Sequence, residues 1–432
     1  MRERGSGRAY IPLDTLINRN PTGPGIEALD YLYCLVLHVS HACNLGCGYC
    51  YADGGDYGRP SALMSEATAR EAVRKAARRY RRVMSVKFFG GEPMLNLKAV
   101  RAACDEFESQ VQAGRFPRSP SFGMVSNMAS LPEGAADLIG RYRIRVTASI
   151  DGPAWIHDRL RPTRTGGGSL GRALENIRRL RQATGEPSLA QATYTSLHLK
   201  QGISVAELCR FIREEVGIAS VVVALENPRG QVASFLSELP RLCHYFQESS
   251  YQGLLEAASS DGPIPNSLLH ELSKLVRRSP ERPAGQCHSD GICGVGRTVL
   301  VVTPEREIYP CYLFMGDGET RFSMGRLDDL QAFEGHRFAL VGQALRQRQQ
   351  ALRQVHCGTC HARPVCNLCP GSYWREHGRL DEPSYVQCQV TRAAAAGLRM
   401  ALAHLRSQPS RWSAFLSKVE ESLQENPALA MF

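Results

Sequence analysis

Along the first half of the chain, short apolar β-branched runs alternate with longer stretches carrying apolar residues every three or four positions. The runs at 35–39, 86–89, 122–125, 144–150, 190–195 and 220–225 predict strands covered on both faces, since such strands need no polar alternation. Helices are predicted between them at 65–82, with Ser65 as N-cap, and at 97–112, 134–141, 170–184 and 205–215. Six strands with intervening helices imply right-handed βαβ units. The expected fold is therefore α/β, with a parallel sheet curled into a partial (β/α)6 barrel over residues 35–226. In such folds chemistry gathers at the C-terminal strand ends. The unusual residues fall there: Val39 leads toward Cys43, Phe89 into Gly90-Gly91-Glu92-Pro93, Val125 into Ser126-Asn127, and Ile150 into Asp151-Gly152-Pro153.

Beyond the barrel the pattern changes. Residues 227–286 read as a helical bridging segment with Pro and Ser breaks. Residues 287–390 hold eight of the fifteen cysteines among Gly and Pro turns, with little apolar periodicity, so this part is expected to be stapled by metal rather than by a side-chain core. Residues 391–432 read as terminal helices, at 394–407 and 411–424. Residues 1–34 form an N-terminal extension.

With 432 residues, 43% hydrophobic and 22% charged, the composition is that of a globular protein and excludes long disorder. No apolar run reaches the length of a membrane span, and the first residues carry no hydrophobic stretch behind their charges, so a cytoplasmic location is expected. Fifteen cysteines in a reducing compartment point to metal rather than disulfides. The formal charge of +10 raises a nucleic-acid reading. Its densest run, residues 74–82, is read as a solvated helix end, with a docking face for RNA or an acidic peptide as the alternative.

Cys43, Cys47 and Cys50 place three thiols on one loop after the first strand. A structural zinc site uses four ligands, and the fourth would have to come from elsewhere, such as His38 or His41. Three thiolates can instead hold three corners of a [4Fe–4S] cubane and leave one iron open. With Tyr49 before the last cysteine, the loop resembles that of the radical S-adenosylmethionine superfamily, over about residues 30–226. The resemblance implies S-adenosylmethionine chelated to the open iron, reductive cleavage to a 5′-deoxyadenosyl radical, and a flavodoxin- or ferredoxin-type electron donor. Gly90-Gly91-Glu92-Pro93 resembles the motif that binds the methionine amino group. The segment around Ser149 and Asp151 resembles the next strand-end motif, near the cofactor. Ser126 and Asn127 either approach the ribose or form a simple turn. Gly166-Gly167-Gly168-Ser169 lacks the P-loop lysine and is read as the start of a helix.

The second set is Cys287, Cys293 and Cys311, then Cys357, Cys360, Cys366 and Cys369, and finally Cys388. Eight thiols suffice for two four-cysteine cages, and a pair of zinc sites is one reading. Their order resembles the SPASM extension of radical enzymes that act on peptides. That resemblance implies two auxiliary [4Fe–4S] clusters, three in all: Cys287, Cys293, Cys311 and Cys369 on one, and Cys357, Cys360, Cys366 and Cys388 on the other. Here two residues separate Cys366 from Cys369 where that family has three. Counting the clusters and their thiolates about halves the formal positive charge. Cys34, Cys104, Cys209 and Cys243 are read as small, partly buried hydrophobes.

The wording around His38-Val39-Ser40-His41, Leu160-Arg161-Pro162-Thr163 and Ala192-Thr193-Tyr194-Thr195 resembles maturases of ribosomally made peptides, with nitrogen-fixation-protein-like leaders or thioether products. A precursor peptide is the expected substrate and a carbon–sulfur crosslink the leading product, with backbone excision or a carbon–carbon link as alternatives. Sulfatase-maturating enzymes place an acid after the third cysteine of the first auxiliary cluster. Tyr312 stands there, which disfavours formylglycine formation and makes Tyr312 the catalytic candidate. An RNA-modifying radical enzyme and a noncatalytic iron–sulfur carrier are the competing classes. Residues 1–34, broken by Pro12, Pro21 and Pro24, are too short for a leader-binding domain. The leader is thus expected on a separate small protein, or on the barrel and C-terminal helices near Arg78.

Overall fold

The computed structural model describes residues 30–226, 233–265, 267–269, 271–272, 293–316, 320–330, 332–366 and 368–425. Most of the expected N-terminal extension, and Cys287, lie outside the described residues.

From Leu35 to His41 every residue of strand β1 (Tyr31–His41) is buried, so both faces of this strand are covered. That explains its unbroken apolar run. The strands β2 (Arg82–Gly90), β3 (Ser121–Ser126), β4 (Arg145–Ser149), β5 (Leu189–Tyr194) and β6 (Ser220–Leu225) follow in that spatial order, all parallel. Leu35 lies opposite Val86, Val86 opposite Phe122, Met124 opposite Val146, and Ala190 opposite Val221. β1 and β2 begin earlier than their apolar runs because Tyr31 pairs with Arg82 and Leu32 with Val83.

Helices α1 (Glu66–Arg79), α2 (Leu97–Gln112), α3 (Ala135–Tyr142), α4 (Leu170–Thr184) and α5 (Val205–Phe211) run between the strands. Ser65 caps α1, its hydroxyl accepting the Thr68 amide at 3.0 Å. The helix stops three residues short of the expected end, because Tyr80 is extended and the chain then enters β2. The glycine run before α4 is a helix start: one oxygen of Asp158 accepts the amides of Ser169 and Leu170, each at 2.8 Å.

The C-terminal part departs from expectation. β7 (Val299–Val302) pairs parallel with β1 on the side away from β2, Cys34 opposite Val299 and Leu37 opposite Val302. β8 (Glu307–Tyr309) and β9 (Gly325–Arg326) extend the same sheet in antiparallel fashion. Leu300, Val301, Val302, Ile308, Tyr309 and Phe322 are fully buried, so this segment does build a side-chain core, continuous with that of the barrel. Its one strong apolar run is four residues long and lies among cysteines and glycines, which hid it.

Helices α6 (Leu239–Ser259), α7 (His336–His356), α8 (Pro370–His377), α9 (Tyr385–Arg406) and α10 (Pro409–Glu425) complete the described chain. Gly397 lets α9 close on α6, since a Cβ there would stand 2.1 Å from the Gln247 carbonyl oxygen. Among the described residues no helix is long and apolar enough to cross a membrane. The basic run is largely engaged: Arg74 pairs with Glu106 at 3.0 Å, Lys75 donates to the Asp329 carbonyl at 2.8 Å, and Arg79 lies 3.7 Å from Glu334. Arg78 and Arg81 remain exposed.

Candidate active site

β1 delivers the first cysteine loop against the end of β2. Gly91 donates its amide to the Ser40 carbonyl at 2.7 Å, and Glu92 to that of Ala42 at 2.8 Å. Gly90 adopts φ 128°, and a Cβ there would lie 2.1 Å from the Ser40 oxygen. One on Gly91 would lie 2.2 Å from the Ala42 oxygen. These glycines serve a close approach between the protein's own strands, immediately before Cys43. The loop's other side rests on residues 160–164, with Gly46 donating to the Pro162 carbonyl at 2.8 Å and Arg164 to that of Cys43 at 2.6 Å. Burial pushes the Cys43 thiol up to about 12, opposed by the Leu45 amide and reinforced by Glu92, Cys47 and Cys50.

The two strand-end carboxylates are buried and hydrogen-bonded within the protein. Glu92 is buried; one oxygen accepts the Met94 amide at 3.0 Å and the other the Asn127 amide at 2.8 Å. Burial raises its pKa against the pull of these bonds. Asp151 is fully buried and accepts from the Tyr49 hydroxyl at 2.5 Å, from Arg161 Nε at 2.8 Å and from the Thr193 amide at 2.9 Å. Burial alone would raise its carboxyl, but Arg161 and these bonds outweigh it and hold the group below its ordinary value. Asp151 thus ties Tyr49 of the cysteine loop to β5. Ser126 accepts the Met128 amide at 3.0 Å, which is turn chemistry. Asn127 donates to Asn44 at 2.8 Å and lies 3.6 Å from the Cys43 sulfur.

A cavity of about 780 Å³ joins these elements. Cys43, Cys47 and Cys50 line one part of it, with Tyr49, Gly90, Gly91, Asn127 and Ser149. Lys87, Phe89, Gln191 and Thr193 line the lumen, and Tyr312, Cys366, Val390 and Leu398 also contribute. The Tyr312 ring centroid lies 4.7 Å from that of Phe89 and 5.9 Å from that of Tyr51. Burial pushes its hydroxyl well above the ordinary tyrosine value, with Tyr51 and Cys311 adding to the shift, so it is a poor proton acceptor. Sequence reasoning missed Lys87 and Arg161 as wall residues. Cys209, read as a small, partly buried hydrophobe, is half-buried against the core and also lines the cavity, and Cys104 is buried in the core.

The remaining cysteines form two neighbourhoods. Burial raises the Cys293 thiol to about 12, with Cys369 adding to the shift, and raises Cys311 further, with Cys369 and Cys293 adding. Cys357, Cys360, Cys366 and Cys388 line a separate cavity of about 260 Å³, together with Arg353, Arg363 and Arg392. Burial takes Cys388 to about 12, and Cys366, Cys357 and Cys360 contribute. Cys366 and Cys369 therefore fall on different sides despite the short spacing between them. Among the described residues no three Cys, His, Asp or Glu side chains are gathered tightly enough to hold a single metal ion. His38 and His41 bond to each other at 3.2 Å, and His41 to Glu305 at 3.1 Å.

Residues 37–212 match the sequence model of the Radical SAM superfamily, so the chain contains a radical SAM domain. The radical SAM cyclopropyl synthase TigE of Paramaledivibacter caminithermalis is 23% identical over 179 residues, 38% of this chain and 35% of that protein. The chain thus spans about a third of TigE. The mycofactocin maturase MftC of Mycolicibacterium smegmatis is 24% identical over 334 residues, 77% of each chain. The structure of native anSMEcpe with bound AdoMet superposes with a TM-score of 0.67 at 15% identity, covering 86% of this chain and 98% of that one. The chain is therefore similar in sequence to a radical SAM cyclopropyl synthase and to a mycofactocin maturase, and it shares the mixed α/β fold of the anSMEcpe structure.

Proposed function

We propose that this protein is a radical S-adenosylmethionine maturase of a ribosomally made peptide, carrying three [4Fe–4S] clusters. One observation carries the reading: a single cavity is lined both by the open three-cysteine loop and by Tyr312 beside the second cysteine set, and its walls past the lumen mix apolar side chains such as Val221 and Leu398 with polar ones such as Glu226 and Gln387. A peptide segment fits such a space.

The donor sets suit the implied groups. Cys43, Cys47 and Cys50 supply three thiols on one loop, and three thiolates on a [4Fe–4S] cluster leave an iron for S-adenosylmethionine. Gly90, Gly91, Asn127, Ser149 and Tyr49 would surround that cofactor. Cys293, Cys311 and Cys369 would hold one auxiliary cluster with Cys287, and Cys357, Cys360, Cys366 and Cys388 the other. When bound, the first cluster and S-adenosylmethionine supply a 5′-deoxyadenosyl radical that removes a hydrogen atom from substrate. The chain's own residues do the positioning. Asp151 and Arg161 fix Tyr49 on the loop, while Phe89, Tyr51 and Tyr312 form an aromatic wall that keeps water from the reacting carbon. A carbon–sulfur crosslink is the leading product.

The test is turnover of reduced, reconstituted enzyme with a small peptide encoded beside its gene. The expected result is peptide-dependent 5′-deoxyadenosine and a peptide lighter by a pair of hydrogens; a larger mass loss would indicate backbone excision. Turnover with tRNA and none with peptide would overturn the reading. A sulfatase-derived peptide with Cys or Ser should yield no aldehyde, because Tyr312 offers no carboxylate; aldehyde formation would refute that part.

A further inference from the structure

Lys87 sits midway along β2, in register with Val36 of β1 and Gly123 of β3. Its neighbours Val86 and Phe88 point into the core, and strand alternation turns Lys87 and Phe89 toward the cavity, which both line. Other cations on this wall have acidic partners: Arg161 binds Asp151 at 2.8 Å and Arg213 binds Glu256 at 2.9 Å. Among the described residues Lys87 has no ion pair or hydrogen bond. Its ammonium lies 5.3 Å from the Phe89 ring centroid, and the groups that bear on its charge are the Cys34 and Cys311 thiols, not carboxylates. Lys87 is half-buried on the cavity wall, and a partly desolvated ammonium without a carboxylate is costlier than an apolar residue at this strand position.

We infer that Lys87 is a specificity-determining residue that binds a carboxylate of the substrate peptide inside the cavity. The inference rests on the peptide reading above. Phe89 and Tyr312 keep the surroundings apolar, so an incoming carboxylate would meet the ammonium in a low-dielectric setting where the pair is strong and its absence is penalised. Two sources share this chemistry: an Asp or Glu side chain, and the peptide's own C-terminus.

Reconstituted holoenzyme with S-adenosylmethionine is used to retain peptides from two synthetic decapeptide libraries, one with free and one with amidated C-termini, read by mass spectrometry. Enrichment of Asp or Glu at one position in both libraries is expected for a side-chain source, and retention from the free library alone for a terminal source. Lys87→Met should reduce that enrichment about ten-fold. Lys87→Arg should keep much of it, and both variants should retain wild-type iron content and cofactor affinity. An acidic preference equally strong in Lys87→Met would overturn the inference and leave the peptide reading standing. So would a Lys87→Met variant whose only change is weaker S-adenosylmethionine binding or a shifted cluster potential, since Lys87 would then serve the cofactor or the cluster. Retention of no peptide by the wild type would overturn the peptide reading, and this inference with it.

Discussion

The two cysteine regions are held in place by different means. The loop at residues 43–50 is fixed by backbone: β1 against β2, glycines where no Cβ fits, and the bonds from residues 160–164. The segment from Cys357 to Cys366 is a series of local turns, such as Cys360 to the Cys357 carbonyl and Cys366 to that of Ala362, with small apolar clusters around Ala362 and Val365. Cys357, Cys360 and Cys366 pack only against small apolar clusters and, with Cys388, line a shared cavity. A site built on a sheet keeps its geometry when empty, whereas a site built on turns draws its order from what its ligands bind.

The largest expected effect comes from stripping the iron. Hydrogen exchange across residues 357–369 should rise toward unfolded rates while β1 to β5 stay protected. Simultaneous loss of protection in the barrel would break the comparison.

Glycine substitutions sharpen it at single residues. Gly91→Ala forces a Cβ against the Ala42 carbonyl and should destabilise the protein by about 3 kcal/mol, with loss of about four irons and of S-adenosylmethionine cleavage. Gly358→Ala, whose Cβ would meet nothing nearer than 3.9 Å, should change stability by less than about 0.5 kcal/mol. Denaturant unfolding and iron analysis read both, and equal effects would contradict the contrast.

A smaller effect is a pH dependence confined to the barrel. His157 is fully buried beside Asp151, with Nδ1 accepting the Asp151 amide, and burial with nearby Arg161 lowers its pKa to about 4. Because the folded value lies below the unfolded one, the unfolded chain takes up the proton first. The stabilisation is present above about pH 6.5 and is lost as pH falls toward 4, by about 2 kcal/mol at pH 5. Barrel unfolding compared at pH 7 and pH 5, with and without His157→Asn, checks the sign; a wild type more stable at pH 5 would contradict it.

Much of this was legible in the sequence for a physical reason. Buried parallel strands write themselves as unbroken apolar runs, and the three-then-two cysteine spacing allows few readings. The partners of Asp151 were not legible, because Tyr49 and Thr193 lie 102 and 42 positions away and only the fold brings them together. β7 was missed because four apolar residues inside a cysteine-rich stretch carry too little pattern. Lys87 was missed because one charge in an apolar strand gives no sign of which face it occupies.

The central claim is that the cysteines supply one open cluster site and two closed ones. Metal analysis of anaerobically reconstituted protein, beside a variant with Cys43, Cys47 and Cys50 changed to Ala, tests it most directly. About twelve irons are expected in the wild type and about four fewer in the variant, which should not cleave S-adenosylmethionine. Zinc bound in the C-terminal region, with only about four irons in the whole protein, would contradict it.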